Sequence, residues 1–293
     1  MATAVAVRTK TPGVSMKFPE YLDAPGVHFS VLKFMAQSPR HYLHALLHPQ
    51  EETPAMLLGR ATHTAVFEPE KFQLEYALWS GDRRGNAYKE FEEACLVQGR
   101  SILKENEYRT ALAIRDAVRS IPEIALLLAK GRPEVSLFWR NPQSGLGCKG
   151  RLDWIAGTNA ILDLKTTTSV DPGWFSSQAW RMGYFHQAAM YQEGFAVSSG
   201  KGSILPFGII AVERDAPHAC RLFWLDDNTI EMAWAQYVNW LEQVKVCTDM
   251  DDWPGPLPVE SVLAAPGWAL NKDTDEAVDF DGVEEVEDAK KAG

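Results

Sequence analysis

The sequence predicts an α/β fold with a central mixed β-sheet flanked by helices. Three observations lead there. Short runs rich in apolar and β-branched residues, bounded by turn signals, fall in the middle of the chain and again later. Longer runs with helical periodicity precede, separate and follow them. The resulting order is helices, three strands, a helix, two strands and a helix, the pattern of a layered α/β domain. At 293 residues the chain is long enough for one large domain or two small ones with a real core.

Residues 1–27 carry Pro12, Pro19 and Pro25 and read as a flexible arm. They lack the apolar run of a signal peptide. Ser30 is placed to cap a helix through Phe34 and Met35, and a second short helix carries Tyr42, Leu43, Leu46 and Leu47. Thr53-Pro54 pairs a capping hydroxyl with proline at the first helical position, so a helix runs from Ala55 to about Phe67 with His63 on it. Residues from Ile102 to Lys130 read as largely helical, broken at Pro122. Three strands follow, Val135–Trp139, Cys148–Ile155 and Ala160–Thr166, with turns at residues 141–145 and 157–159. A helical stretch over about Trp174–Phe195 leads to strands Ile204–Val212 and Arg221–Trp224. A long helix capped by Asp226 or Asp227 closes the domain.

Composition excludes several classes. Apolar residues make up 46% and charged residues 23%, the balance of a soluble globular protein. No stretch approaches the roughly 20 apolar residues needed to span a bilayer. The four cysteines, Cys95, Cys148, Cys220 and Cys247, form no CxxC pair, so they read as reduced thiols without a zinc or iron–sulfur framework. The net charge of −10 argues against coating nucleic acid by bulk charge. Much of it is local: Asn271–Gly293 holds nine acids against three bases, a net −6, which leaves −4 for the rest. That terminal segment is too poor in apolar residues to fold and is expected to be a disordered acidic tail. A basic groove on the body remains open. Three segments are therefore expected: an arm at 1–27, a domain at 28–270 and a tail at 271–293.

The chemistry concentrates in Gly150-Arg-Leu-Asp153 and Asp163-Leu-Lys165. In a hairpin centred near Thr158, Asp153 and Asp163 are equidistant from the turn and become direct cross-strand neighbours, about 4.5–5.5 Å apart at Cβ. Like charges so placed are destabilising, and a divalent cation would compensate them. Asp163 and Lys165 are two apart and share a face, while Leu162 and Leu164 point into a core. A bare D-x-K is commonly a chance ion pair on a solvated face. Two acids set across a hairpin of otherwise apolar strands are not.

These residues resemble the PD-(D/E)XK signature of the RecB-like and phage-type exonucleases, with its restriction-endonuclease-like core. Gly59-Arg-Ala-Thr-His63 with Phe67-Glu-Pro69 is similar to the glycine-to-histidine helix motif of that group. Pro133-Glu134-Val135 resembles the strand that often supplies another acid. Gln187-Ala-Ala-Met-Tyr191 matches the QxxxY motif that follows the lysine. The set, in order over Phe29 to Trp240, is most similar to the RecE-like, exodeoxyribonuclease VIII-type phage recombination exonucleases. Leu152 stands where the family name has proline, the second acid is Asp163 rather than glutamate, and the iron–sulfur cysteines of some relatives are missing.

The resemblance implies roles. Asp153 and Asp163 would hold a metal with His63, the Leu164 carbonyl and Glu134, and Lys165 would act on water and phosphate. Gln187 and Tyr191, four apart on one helix face, would reach the DNA backbone or 5′ end. Arg60, Lys149 and Arg151 are candidate phosphate contacts. The expected cofactor is Mg²⁺, with Mn²⁺ as substitute. The expected substrate is double-stranded DNA ends, digested 5′ to 3′. A homo-oligomeric ring, a single-strand annealing protein as partner, no membrane, and the cytoplasm of a bacterial or phage-infected cell complete the expectation. The alternatives are an inactive scaffold of the same fold that binds DNA or a partner, and an endonuclease.

Overall fold

The computed structural model describes residues 13–258 except 158, 201 and 203, together with residues 260 and 263. The chain divides into Met1–Pro256 and Leu257–Gly293, and the fold described below is that of the first unit. Residues 1–12 of the expected arm and the expected acidic tail lie outside the described residues.

The arm is not irregular where it is described. Strand β1 (Val14–Ser15) pairs antiparallel with the sheet through Val14↔Ser136 and Ser15↔Val135. Helix α1 (Phe18–Asp23) follows. The buried Lys149 ammonium donates to the carbonyls of Tyr21, Leu22 and Ala24 at 3.0, 2.9 and 2.6 Å. A cation at a helix C-terminus satisfies carbonyls that lack intrahelical partners, so Lys149 fastens this segment and is no phosphate contact.

Helix α2 (Phe29–Leu32) is entered from His28, two residues before the expected Ser30 cap, and tightens into a 3-10 turn at Lys33–Ala36. Helix α3 (Pro39–Leu47) is capped by Ser38 and α4 (Pro54–Phe67) by Thr53, whose hydroxyl accepts from the Met56 amide at 3.2 Å. The sequence reading left residues 68–101 unassigned. They form α5 (Pro69–Glu75), β2 (Tyr76–Trp79) and α6 (Asn86–Val97), ahead of β3 (Ser101–Lys104). β2 and β3 make a separate parallel pair. Ile102 and Leu103, expected to be helical, are therefore in a strand. The helix begins only at Glu105, where Glu107 accepts from the Lys104 amide at 2.8 Å. Helices α7 (Glu105–Arg119) and α8 (Pro122–Leu128) complete this half, split at Pro122 as expected.

Strands β4 (Arg132–Arg140), β5 (Gly147–Ala156) and β6 (Ala160–Thr167) form an antiparallel meander. The expected single helix over 174–195 is two, α9 (Pro172–Met182) and α10 (Tyr184–Ser199). Gly183 between them takes φ 75°, and a Cβ there would lie 2.9 Å from the Phe29 ring. Glycine meets both demands. β7 (Phe207–Glu213) pairs parallel with β6, β8 (Cys220–Trp224) antiparallel with β7, and α11 (Asp227–Met250), capped by Asp226, ends the unit. The sheet order is β1-β4-β5-β6-β7-β8, mixed as expected.

Side chains alternate between two cores. Ile161, Phe207, Ile209 and Ala211 pack with α10 and α11 residues such as Met190, Tyr237 and Leu241. Leu162, Leu164, Ile210 and Val212 pack with Val66, Ile114, Val118 and Ile124 of α4, α7 and α8. Each fully buried aliphatic side chain contributes about 1.5–3 kcal/mol, so both faces of β6 and β7 are anchored. No helix among the described residues is long and apolar enough to cross a membrane. Cys95, Cys148 and Cys247 are buried, Cys220 is partly so, and none is in a disulfide.

Candidate active site

The hairpin register is the expected one: Ala156↔Ala160, Ile155↔Ile161 and Trp154↔Leu162 place Asp153 opposite Asp163. The ladder stops one step short of that pair. On the other side of β5, pairing runs through Pro133↔Trp154 and Val135↔Leu152, stepping over Glu134 opposite Asp153. Three carboxylates thus stand in one row across three adjacent strands, and backbone pairing lapses along that row. The local backbone reflects it. Glu134 has φ 52°, a left-handed conformation that costs a non-glycine residue about 1–3 kcal/mol. Leu152 and Trp154, two apart, pack into opposite cores, so the alternation of β5 breaks at Asp153. In place of a ladder bond, the Leu164 amide donates to Asp153 Oδ2 at 2.9 Å. The N–H and C=O of one strand residue point to the same side, so the Leu164 carbonyl also faces this gap.

Helix α4 delivers His63, whose Nδ1 lies 3.1 Å from the same Asp153 Oδ2. Phe67, one turn on, stacks on Trp154 at 5.9 Å and meets the His63 ring edge-on at 6.1 Å, which fixes the helix against the hairpin. Lys165 Nζ lies 2.7 Å from Asp163 Oδ2.

The electrostatics separate the two aspartates. Burial pushes the Asp163 carboxyl up to about 6, with Lys165 opposing and Asp153 adding to the rise. Burial acts on Asp153 too, but His63, Lys165 and the Leu164 amide together hold it below the ordinary carboxylate range. Burial works against the charged form of His63, yet Asp153, Glu134 and Asp163 raise it to about 9. Glu134 is raised by burial and Asp153, against Arg151.

Ligand atoms of His63, Glu134 and Asp153 all lie within 4.8 Å of one another. Asp163, opposite Asp153 in the hairpin register and paired with Lys165, lies outside that group of three. One imidazole and two carboxylates fit a divalent cation, which takes carboxylate oxygens and relieves the repulsion among them.

Of the other expected residues, Gln187 and Tyr191 border the site: Gln187 donates to the Tyr191 hydroxyl at 3.2 Å, and the buried hydroxyl feels Asp163 and Asp153. Gly150 makes this possible, because a Cβ there would lie 2.9 Å from the Tyr191 ring. Arg151 donates to Glu134 and also to the Met16 carbonyl and Ser136 hydroxyl, at 3.0 and 3.1 Å; it orients the acid. Arg60 forms a bidentate pair with Glu52, both contacts 3.0 Å, beside Tyr76 and Ser101 of the small sheet. Two residues were missed. Tyr184 places its ring 4.8 Å from Lys165 Nζ. Lys33 lies close enough to Lys165 that burial and this like charge lower its pKa. Tyr184 was within reach of the sequence, being one helical turn before Gln187 on the same face; Lys33 carried no periodic signal.

The model of the PDDEXK-like domain of unknown function (DUF3799) matches residues 28–257. No curated protein matches the sequence. Among solved structures, a candidate exonuclease from Eubacterium rectale aligns with TM-score 0.59 at 18% identity, covering 89% of this chain and 100% of that one. An alkaline exonuclease from Laribacter hongkongensis aligns with TM-score 0.26 at 15% identity, over 65% of this chain and 91% of that one, too loosely to bear on the comparison. The family match spans α2 through the end of α11 and includes every member of the carboxylate row, so the chain belongs to the PDDEXK-like domain family.

Proposed function

We propose that this chain is a Mg²⁺-dependent exodeoxyribonuclease, able to use Mn²⁺, that hydrolyses one strand of duplex DNA from its end. The observation that carries this reading is the row Glu134, Asp153, Asp163 joined by His63 on one side and Lys165 on the other. A divalent cation held there supplies Lewis-acid polarisation of a phosphoryl oxygen and lowers the pKa of water. Asp153, Asp163, Glu134 and His63 would hold it, with the Leu164 carbonyl on the same edge. To serve as a ligand, His63 would have to be neutral. Lys165 stays charged, because Asp163 and Asp153 outweigh the burial that opposes its ammonium. It orients the attacking water and stabilises charge developing on the phosphate. Gln187 and Tyr191 present polar tips toward the strand being cut. The proposal extends to 5′-to-3′ digestion that leaves single-stranded tails for recombination, to a ring-shaped oligomer around the duplex, and to an annealing protein as partner.

The test is digestion of end-labelled linear duplex DNA with Mg²⁺, with and without a 5′ phosphate, beside supercoiled circles. The proposal expects loss of the linear substrate from its 5′ ends, intact circles, and no reaction after chelation. Nicked circles would make the protein an endonuclease. Duplex binding without cleavage under any divalent metal would make it a binding scaffold.

A further inference from the structure

Asp163 has two claims on it. It stands opposite Asp153, a member of the candidate cation site, and its Oδ2 lies 2.7 Å from the Lys165 ammonium. A lysine with no other partner would hold that oxygen against an incoming cation. The structure gives Lys165 a second partner, the face of Tyr184, whose ring centroid is 4.8 Å from Nζ. That ring is held from behind: it packs at 6.3 Å against buried Phe175, which stacks on Phe223 at 4.9 Å. Its position is set by Gly183, whose left-handed turn starts α10 at Tyr184. An aromatic face attracts an ammonium without neutralising it and offers no carboxylate to compete for a metal.

On the nuclease reading above, we infer that Tyr184 is a positioning residue: its ring holds the Lys165 ammonium at the site when Asp163 turns to the cation. Tyr184 therefore acts on metal binding through Lys165. Removing the ring leaves Asp163 as the direct ion-pair partner of Lys165 among the described residues, and the cation must then displace the ammonium.

Calorimetric titration with Mn²⁺ of the full chain and three variants, Tyr184→Leu, Lys165→Met and the double variant, tests the coupling. Tyr184→Leu should weaken Mn²⁺ binding about tenfold. In the Lys165→Met background the same change should alter affinity less than about twofold. Equal losses in both backgrounds would reduce Tyr184 to packing, and no loss in either would remove it from the site. Tyr184→Phe should restore affinity. A series of increasingly fluorinated phenylalanines at 184, which keeps the shape and drains the ring face, should lower it stepwise. That series decides the matter should Tyr184→Leu not fold, a flat response overturning the inference. Cleavage assayed in parallel separates the two readings. If coupled Mn²⁺ binding persists in a protein that cuts no DNA, the nuclease reading falls and the coupling stands.

Discussion

The two edges of strand β6 behave differently. Along β7 every residue from Ile161 to Thr167 is paired. Along β5 pairing covers only Ala160 to Leu162 and then gives way to the Asp153 side chain. The first edge is backed by fully buried Ile209, Ile210, Ala211 and Val212. The second faces a row of carboxylates, a left-handed glutamate and a break in alternation. One strand thus serves two purposes, with the continuous edge anchoring it so that the other can be left open. Stability should respond to changes on the β7 edge, and metal binding and turnover to changes on the β5 edge.

Asp163→Ala breaks this comparison most sharply. Cleavage should fall at least about a thousandfold, some 4 kcal/mol of transition-state stabilisation. The melting temperature in chelator should change little, because relief of repulsion along the row offsets the ion pair lost by buried Lys165. A variant that cuts end-labelled duplex at the wild-type rate would sink the site. On the continuous edge, Ile209→Ala should cost about 2–5 kcal/mol in urea denaturation while the folded fraction keeps its affinity for Mn²⁺. Activity lost before stability would mean the two edges are not separable.

Protonation sharpens the comparison from the open edge. His63 is raised from 6.5 to about 9 in the metal-free protein, against its burial, by Asp153, Glu134 and Asp163. Its stabilisation is therefore fully present below about pH 6.5 and is lost as pH rises through 9, a change of roughly 3 kcal/mol. Denaturation in chelator across that range should show the decline, and His63→Ala should flatten it. The smallest expected effect is that of Gly150→Ala, about 1 kcal/mol from pressing a methyl on the Tyr191 ring. Thermal melts should register it together with a rise in KM, since the ring cannot move without shifting its hydroxyl.

Much of this site was legible because it is local and periodic. The hairpin centre, the placement of Asp153 opposite Asp163, the inward Leu162 and Leu164 and the Thr53 cap follow from spacing and turn chemistry. What was missed depends on distant partners or on exceptions to periodicity. β2 and β3 are four-residue strands that pair across intervening α6, so neither declares itself, and Ile102 and Leu103 blend into the helix that follows. Nothing in a glutamate announces a positive φ, so the strain at Glu134 was invisible. Arg151 looked like a free base because Glu134 is seventeen residues away. Lys149 likewise found its carbonyls more than a hundred residues upstream.

The hydrogen bond from the Leu164 amide to Asp153 Oδ2 gives the protein a built-in reporter. That proton sits in a gap in the ladder and points at a carboxylate that would also hold the cation. In a nuclear magnetic resonance titration with diamagnetic Mg²⁺, its resonance should move with site occupancy, while those of Ile209 and Ile210 across the continuous edge stay nearly still. Its solvent exchange measures how often Asp153 lets go of the backbone. A single nitrogen on β6 can therefore follow the loading of the site without any substrate being turned over.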